Sequence, residues 1–123
     1  MKLDRVYDTL ELDDNLGNIG LIIEKVLEEA DPKNPMSSYQ INNKLGERLA
    51  KTSRERGILK SAFLKKVPVY IPAFTDSELG LDVAIYRRRQ ILRKENPFQF
   101  NPFLDLEHYT DQIKTAKKIG IFT

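Results

Sequence analysis

Lysines and Pro72 enclose the run Val67-Pro68-Val69-Tyr70-Ile71, and no other feature constrains the fold of this chain as much. Upstream of it, apolar residues recur every three or four positions, as helices require. Here they are continuous, β-branched and aromatic. Such a run predicts a strand buried on both faces, the kind found in parallel sheets covered by helices. Pro68 has no N–H to give to a ladder, so it suits only the first residues of that strand.

Three helices are expected before it. Asp13 or Asp14 can cap the first, which runs to about Ala30 with Leu16, Ile19, Ile22, Ile23, Val26 and Leu27 on one stripe and Glu24, Glu28 and Glu29 opposite. Asp31-Pro32-Lys33-Asn34-Pro35 stops it, because proline cannot continue the hydrogen-bond ladder and turns the preceding residue away from helix. Ser37 or Ser38 can cap the second, to about Lys51, with Ile41, Leu45, Leu49 and Ala50 inward. Gly46 interrupts that stripe at a cost of about 1 kcal/mol relative to alanine, which close packing against a neighbour would explain. The third helix spans about Ser53 to Lys65, with Ile58, Leu59, Ala62, Phe63 and Leu64 inward. After the strand come a helix from about Glu78 to Lys94, a Phe- and Pro-rich loop through Phe103, and a helix from Asp105 to Lys118. Ile119-Gly120-Ile121-Phe122-Thr123 reads as a second strand.

This order predicts a single α/β domain over residues 1–123, helical over 13–65 and strand-helix-helix-strand over 67–123, with parallel strands joined by a helical crossover. A two-stranded parallel sheet leaves both edges open, and the sequence stops inside the second strand, so the domain is expected to be incomplete. The 123 residues leave no room for two ordinary cores. Twenty basic residues against eighteen acidic ones are too balanced to mark nucleic acid or membrane as the partner. Without cysteine there is no thiol nucleophile, thiolate metal site or disulfide. The charged N-terminus shows no secretory pattern, and a cytoplasmic location is expected.

Chemistry concentrates in Pro72-Ala73-Phe74-Thr75-Asp76-Ser77-Glu78-Leu79-Gly80-Leu81-Asp82. Ligands of open α/β sheets gather beyond the carboxyl ends of strands, and the unpaired N–H groups of a helix start can hold a polar ligand. Asp76, Glu78 and Asp82 place three carboxylates in this one corner, where they could hold an ammonium group or sugar hydroxyls through charge-assisted hydrogen bonds. The plainer reading is that Asp76 or Ser77 caps the helix and the other acids complement its dipole. Spacing alone leaves both open.

The stretch from Val67 to Asp76, closed by Leu79-Gly80, resembles the Pro-Ala-Leu-Thr-Asp-Gly-Ser-Leu-Gly-Asp segment of the deoxyhypusine synthase family. Pro35-Met36-Ser37-Ser38 through Leu45-Gly46, Phe103-Leu104-Asp105 through Lys118-Ile119-Gly120-Ile121, and Arg5-Val6-Tyr7-Asp8 resemble further family segments, so the similarity covers nearly the whole chain. The resemblance implies a partial Rossmann-like sheet and part of an NAD-dependent aminobutyl transferase. Such an enzyme takes spermidine as donor and passes the group to an acceptor amine, and the family assembles as tetramers with active sites between paired subunits. Asp76 then matches the aspartate that contacts NAD. The family's polyamine-binding aspartate should follow Gly80 directly. Leu81 stands there and Asp82 comes one residue later, with Ser77-Glu78 in place of Gly-Ser, so Asp82 and Glu78 are the substrate-binding candidates. The family's glycine-rich turn, histidine and catalytic lysine have no counterpart in these 123 residues, and no catalytic residue is nominated. The resemblance thus implies a chain inactive by itself, working in a homo-oligomer or with a complementing chain, or a non-catalytic subunit.

Three other features bear on function. His108, the single histidine, lies three residues after Asp105, and a structural role is the simpler reading than a metal ligand. Arg87-Arg88-Arg89, Arg93 and Lys94 gather at a helix end, where the dipole favours them, a simpler reading than a phosphate or nucleic-acid contact. Phe98, Phe100 and Phe103 either pack within the domain or form a subunit interface. The rival reading is a small DNA-binding regulator: the second and third helices as a helix-turn-helix, the strand as a wing, and Lys51, Arg54, Arg56, Lys60, Lys65 and Lys66 as the basic surface.

Overall fold

The structure, a computed structural model, describes the backbone of residues 3–6 and 9–123, and side chains from residue 18 onward. Tyr7 and Asp8, and the side chains of Asp13, Asp14 and Leu16, lie outside the described residues. Strands β1 (Leu3–Val6) and β2 (Thr9–Leu12) pair antiparallel, and five helices follow: α1 (Asp13–Glu28), α2 (Ser38–Thr52), α3 (Ile58–Leu64), α4 (Glu78–Leu92) and α5 (Phe103–Thr115).

The expected parallel sheet is not formed. Among the described residues the fold is helical, and its one sheet is the antiparallel β1–β2 pair. Val67–Ile71 forms no strand and pairs with none among the described residues. Side chains of α2 serve its backbone instead: Asn42 Nδ2 donates to the Val69 carbonyl at 3.0 Å, and the Ile71 N–H donates to Ser38 Oγ at 2.8 Å. Ile119 to Thr123 is exposed and pairs with nothing among the described residues. A β-rich composition makes a strand only where another strand accepts its hydrogen bonds. Neither run has one.

Helices α1 and α2 follow the expected apolar stripes more closely, except that Ile19 is exposed, whereas Ile58 and Leu64 of α3, expected inward, are exposed. Ile23, Val26 and Leu27 of α1, Ile41 and Leu45 of α2, Val83 of α4, and Met36, Phe74 and Phe98 from the connections form the core. Asp31 ties off the turn after α1 by accepting from the Lys33 N–H (3.0 Å) and Asn34 Nδ2 (2.6 Å). Gly46 explains itself: a Cβ there would collide with the Leu59 carbonyl and lie 2.8 Å from the Phe63 Cβ, so α2 and α3 pack backbone to backbone. The third helix is shorter than expected, because residues 53–57 form a loop in which Lys60 Nζ donates to the Ser53 carbonyl at 2.7 Å.

α5 starts two residues before its expected cap. Asp105 does not cap its own helix: buried, it accepts from the Ser38 N–H (3.1 Å), the Ser38 hydroxyl (2.6 Å) and the Tyr39 N–H (3.0 Å), and so caps α2. Those N–H groups belong to the first turn of α2 and have no partner within their own helix. The loop before α5 is pinned by a single parallel bridge, in which Met36 N donates to Gln99 O (3.0 Å) and Asn101 N to Met36 O (2.9 Å). No described helix is long and apolar enough to cross a membrane.

Candidate functional site

The acidic corner is built on one buried aromatic ring. Phe74, stacked on Phe100 with centroids 4.0 Å apart, anchors a 3-10 turn over Phe74–Asp76, and α4 starts two residues later. Ser77 joins the two. Its hydroxyl donates to the Phe74 carbonyl (2.6 Å) and accepts from the Gly80 N–H (3.0 Å), so Ser77 is the N-cap of α4. Gly80 is required by contact: a Cβ there would drive into the Phe74 carbonyl.

Of the capping candidates that spacing left open, Ser77 and not Asp76 caps the helix. With Ser77 capping the helix, Asp76 and Glu78 are exposed and make no hydrogen bond among the described residues. Asp82 lies one turn beyond Glu78 on α4, half-buried. Loss of solvation, and then the Glu78 charge, raise its pKa above the usual carboxylate value. It lines a cleft of ≈ 180 Å³ between α1 and α4 with Gly20, Glu24, Tyr86 and Arg89, and Glu24 pairs with Arg89 at 3.1 Å. Glu78 and Asp82 therefore act on one another, and Asp76 stands on the preceding turn.

A second region had no signal in the sequence. Tyr39 stacks on His108 (4.1 Å), the Tyr70 hydroxyl lies 2.6 Å from His108 Nδ1, and Tyr109 meets Tyr70 edge-on. These side chains come from α2, the extended segment and α5, and no periodicity links them. Burial first, and then the Asp105 charge, raise the Tyr70 phenol pKa. Beside this cluster a cleft of ≈ 440 Å³ opens between α2, α3 and Val67–Val69, with His108 and Gln112 at its rim. His108 packs within this aromatic cluster, and the described residues hold no group of three or more potential metal ligands.

The basic and aromatic features divide. Arg87 donates to the Phe98 carbonyl (3.2 Å) and Arg89 pairs with Glu24, whereas Arg88, Arg93 and Lys94 are exposed. Phe98 is buried and Phe100 stacked, as packing within the domain predicts, but Phe103 is 66% exposed. The helix-turn-helix reading loses its wing, since 67–71 forms no strand, and its recognition helix has only seven residues.

Comparison with known proteins gives the chain a family. A family model described as deoxyhypusine synthase matches residues 1–123, and the chain belongs to that family. It is 25% identical over 122 residues to a deoxyhypusine synthase-like protein of Caulobacter vibrioides, covering 98% of this chain and 33% of the relative. To a probable deoxyhypusine synthase 2 of Methanosarcina mazei it is 26% identical over 120 residues, covering 97% and 33%. A deoxyhypusine synthase-like protein of Elusimicrobium minutum is 35% identical over 81 residues, covering 65% and 21%. The chain spans about a third of the length of the first two of these relatives.

Proposed function

We propose that this chain contributes the acidic corner of an NAD-dependent aminobutyl transferase of the deoxyhypusine synthase type, with spermidine as donor and an amine as acceptor. The observation that carries the reading is the division of labour at residues 76–78. Ser77 takes over helix capping, and so leaves the Asp76 and Glu78 carboxylates available to a ligand.

The residues present fit part of what such a reaction needs. Asp76, exposed on a rigid turn, can accept hydrogen bonds from the hydroxyls of a nucleotide sugar. NAD, when bound, supplies the hydride acceptor that amine oxidation requires, chemistry no amino-acid side chain provides. Glu78 and Asp82 suit the donor. Two carboxylates one helical turn apart repel each other, and an ammonium group between them would relieve that repulsion. No lysine of this chain is assigned as the nucleophile, so the chain alone is expected not to turn over spermidine.

The test uses the purified chain alone and mixed with a full-length relative, with NAD affinity and spermidine turnover as readouts. Asp76→Ala is expected to weaken NAD binding about tenfold, the worth of one charge-assisted hydrogen bond. Unchanged nucleotide affinity in that variant removes Asp76 from the site. Spermidine turnover by the chain alone overturns the assignment of the nucleophile to other polypeptide.

A further inference from the structure

Charge is not spread evenly along this chain. Residues 51–66 hold six cations, Lys51, Arg54, Arg56, Lys60, Lys65 and Lys66, against one acid, Glu55. That stretch carries +5 where the whole chain carries +2, so the remainder is net acidic. The fold gathers these cations in space. Lys60 Nζ of α3 donates to the Ser53 carbonyl (2.7 Å) and to the Glu55 carbonyl (3.2 Å), and so ties the loop before α3 to the helix. Arg56 of that loop, Lys60, and Lys65 just past the helix then line one open groove of ≈ 590 Å³. Lys51 is paired with Glu47 at 2.6 Å. Arg54, Arg56, Lys65 and Lys66 are exposed and form no ion pair among the described residues.

Helix stability accounts for only half of this. Lys65 and Lys66 stand at the carboxyl end of α3, where the dipole favours cations, but Arg54 and Arg56 precede its amino end, where the dipole opposes them. Lysine and arginine are almost never fully buried unless paired, so an apolar covering of the groove would strand these charges. Whatever lies on it must bring acid. The groove is also partly apolar: Leu64 and Val67 line it, exposed by 63% and 56%, and Ile58 at the start of α3 is 82% exposed. A phosphate backbone would meet the cations and leave these side chains in water. An acidic polypeptide carrying apolar residues meets both, with carboxylates on Arg56 and Lys65 and apolar groups on Leu64 and Val67. We propose that the α3 groove is a docking site for a segment of a partner protein in which apolar residues interrupt a run of carboxylates. No residue of the acidic corner takes part, so the site is independent of the aminobutyl-transfer reading.

Fluorescence anisotropy with labelled probes tests it: a peptide repeating Glu-Glu-Leu, the same peptide with serine for leucine, and an oligouridylate of equal charge. The chain is expected to bind the Glu-Glu-Leu peptide, and to bind the other two about tenfold more weakly. Arg56→Glu with Lys65→Glu is expected to lower affinity for the Glu-Glu-Leu peptide about tenfold or more, with helical content unchanged in circular dichroism because both side chains are exposed. Arg56→Gln with Lys65→Gln removes the charges without reversing them, and should weaken binding even if the glutamates disturb α3. Arg88→Glu with Arg93→Glu makes the same change of charge on α4, and should leave affinity within about twofold. Absence of binding to the Glu-Glu-Leu peptide at low salt overturns the proposal. So does an equal loss in the two glutamate pairs, which would mean that net charge alone attracts the peptide. Tighter binding of the oligouridylate would make the groove a nucleic-acid contact, and equal binding of the serine peptide would make it a surface for any polyanion; either result overturns the proposal as well.

Discussion

The Asp105 carboxylate lies against the first turn of α2, where the Ser38 hydroxyl donates to it at 2.6 Å across 67 residues of sequence. The same hydroxyl accepts the Ile71 N–H at 2.8 Å, so one serine ties α5, α2 and the extended segment together. The Ser38 and Tyr39 N–H groups complete the set, and without the carboxylate they would be unsatisfied donors, the first buried and the second half-buried. Asp105→Ala is therefore expected to destabilise the chain by about 2–4 kcal/mol, combining a lost helix cap with stranded donors. Urea denaturation followed by circular dichroism measures it. A loss under about 0.5 kcal/mol would mean that water replaces the carboxylate without cost.

How much of this was legible beforehand varies with the kind of interaction. Helices α1, α2 and α4 could be read because stripe, cap and stop signal sit within a few residues of each other, as with Asp31 and the prolines around it. Gly46 was legible too, as a glycine in a helical stripe that only close packing explains. Asp105 was not. Its position at a helix start suggests a cap for that helix, and nothing local shows that its partners lie at Ser38 and Tyr39. The strand expected at Val67–Ile71 failed for a related reason: β-branched side chains favour extended backbone, but a sheet needs a second strand, and here Ser38 and Asn42 hold the chain instead. At the acidic corner, spacing could not choose between Asp76 and Ser77 as the cap; the hydrogen bonds of Ser77 do.

Gly80 joins the acidic corner to α4 with no space for a methyl group. Gly80→Ala is expected to cost about 2–3 kcal/mol, the overpacking range, because the obstruction is the backbone carbonyl of Phe74 and not a movable side chain. Gly120→Ala, where nothing lies within 4 Å, is the control and should shift stability by about 0.5 kcal/mol or less. Thermal denaturation of the two variants side by side distinguishes close approach from a general intolerance of alanine.

Two lysines hold left-handed backbone at helix ends. Lys66 (φ 56°) follows α3 and Lys94 (φ 57°) follows α4. Each helix ends in the same way: Val67 N donates to Ala62 O (2.9 Å) and Lys66 N to Phe63 O (3.1 Å), while Glu95 N donates to Gln90 O (3.0 Å) and Lys94 N to Ile91 O (3.1 Å). Glycine takes this conformation without the Cβ penalty. Lys66→Gly and Lys94→Gly are each expected to stabilise the chain by about 1 kcal/mol, and together by about 2 kcal/mol because the two sites are independent. Destabilisation by either would show that the lysine side chain contributes more than its backbone strain costs.

Asp82 gives the chain a pH dependence of defined sign. Its pKa in the folded protein is raised from the ordinary 3.8, chiefly by desolvation and then by Glu78. A raised carboxylate pKa means the folded state holds the proton more tightly than the unfolded state does. The associated stability is fully present below the unfolded pKa and is lost as pH rises through the folded one. Asp82→Asn removes that dependence and should stabilise the chain at neutral pH, by about 0.5 kcal/mol or less given how far solvent still reaches the carboxylate. Denaturation midpoints for wild type and variant, compared from acid pH to neutrality, are expected to diverge with the variant above. Parallel curves across that range would mean that Asp82 ionises in the cleft as freely as it does in the unfolded chain.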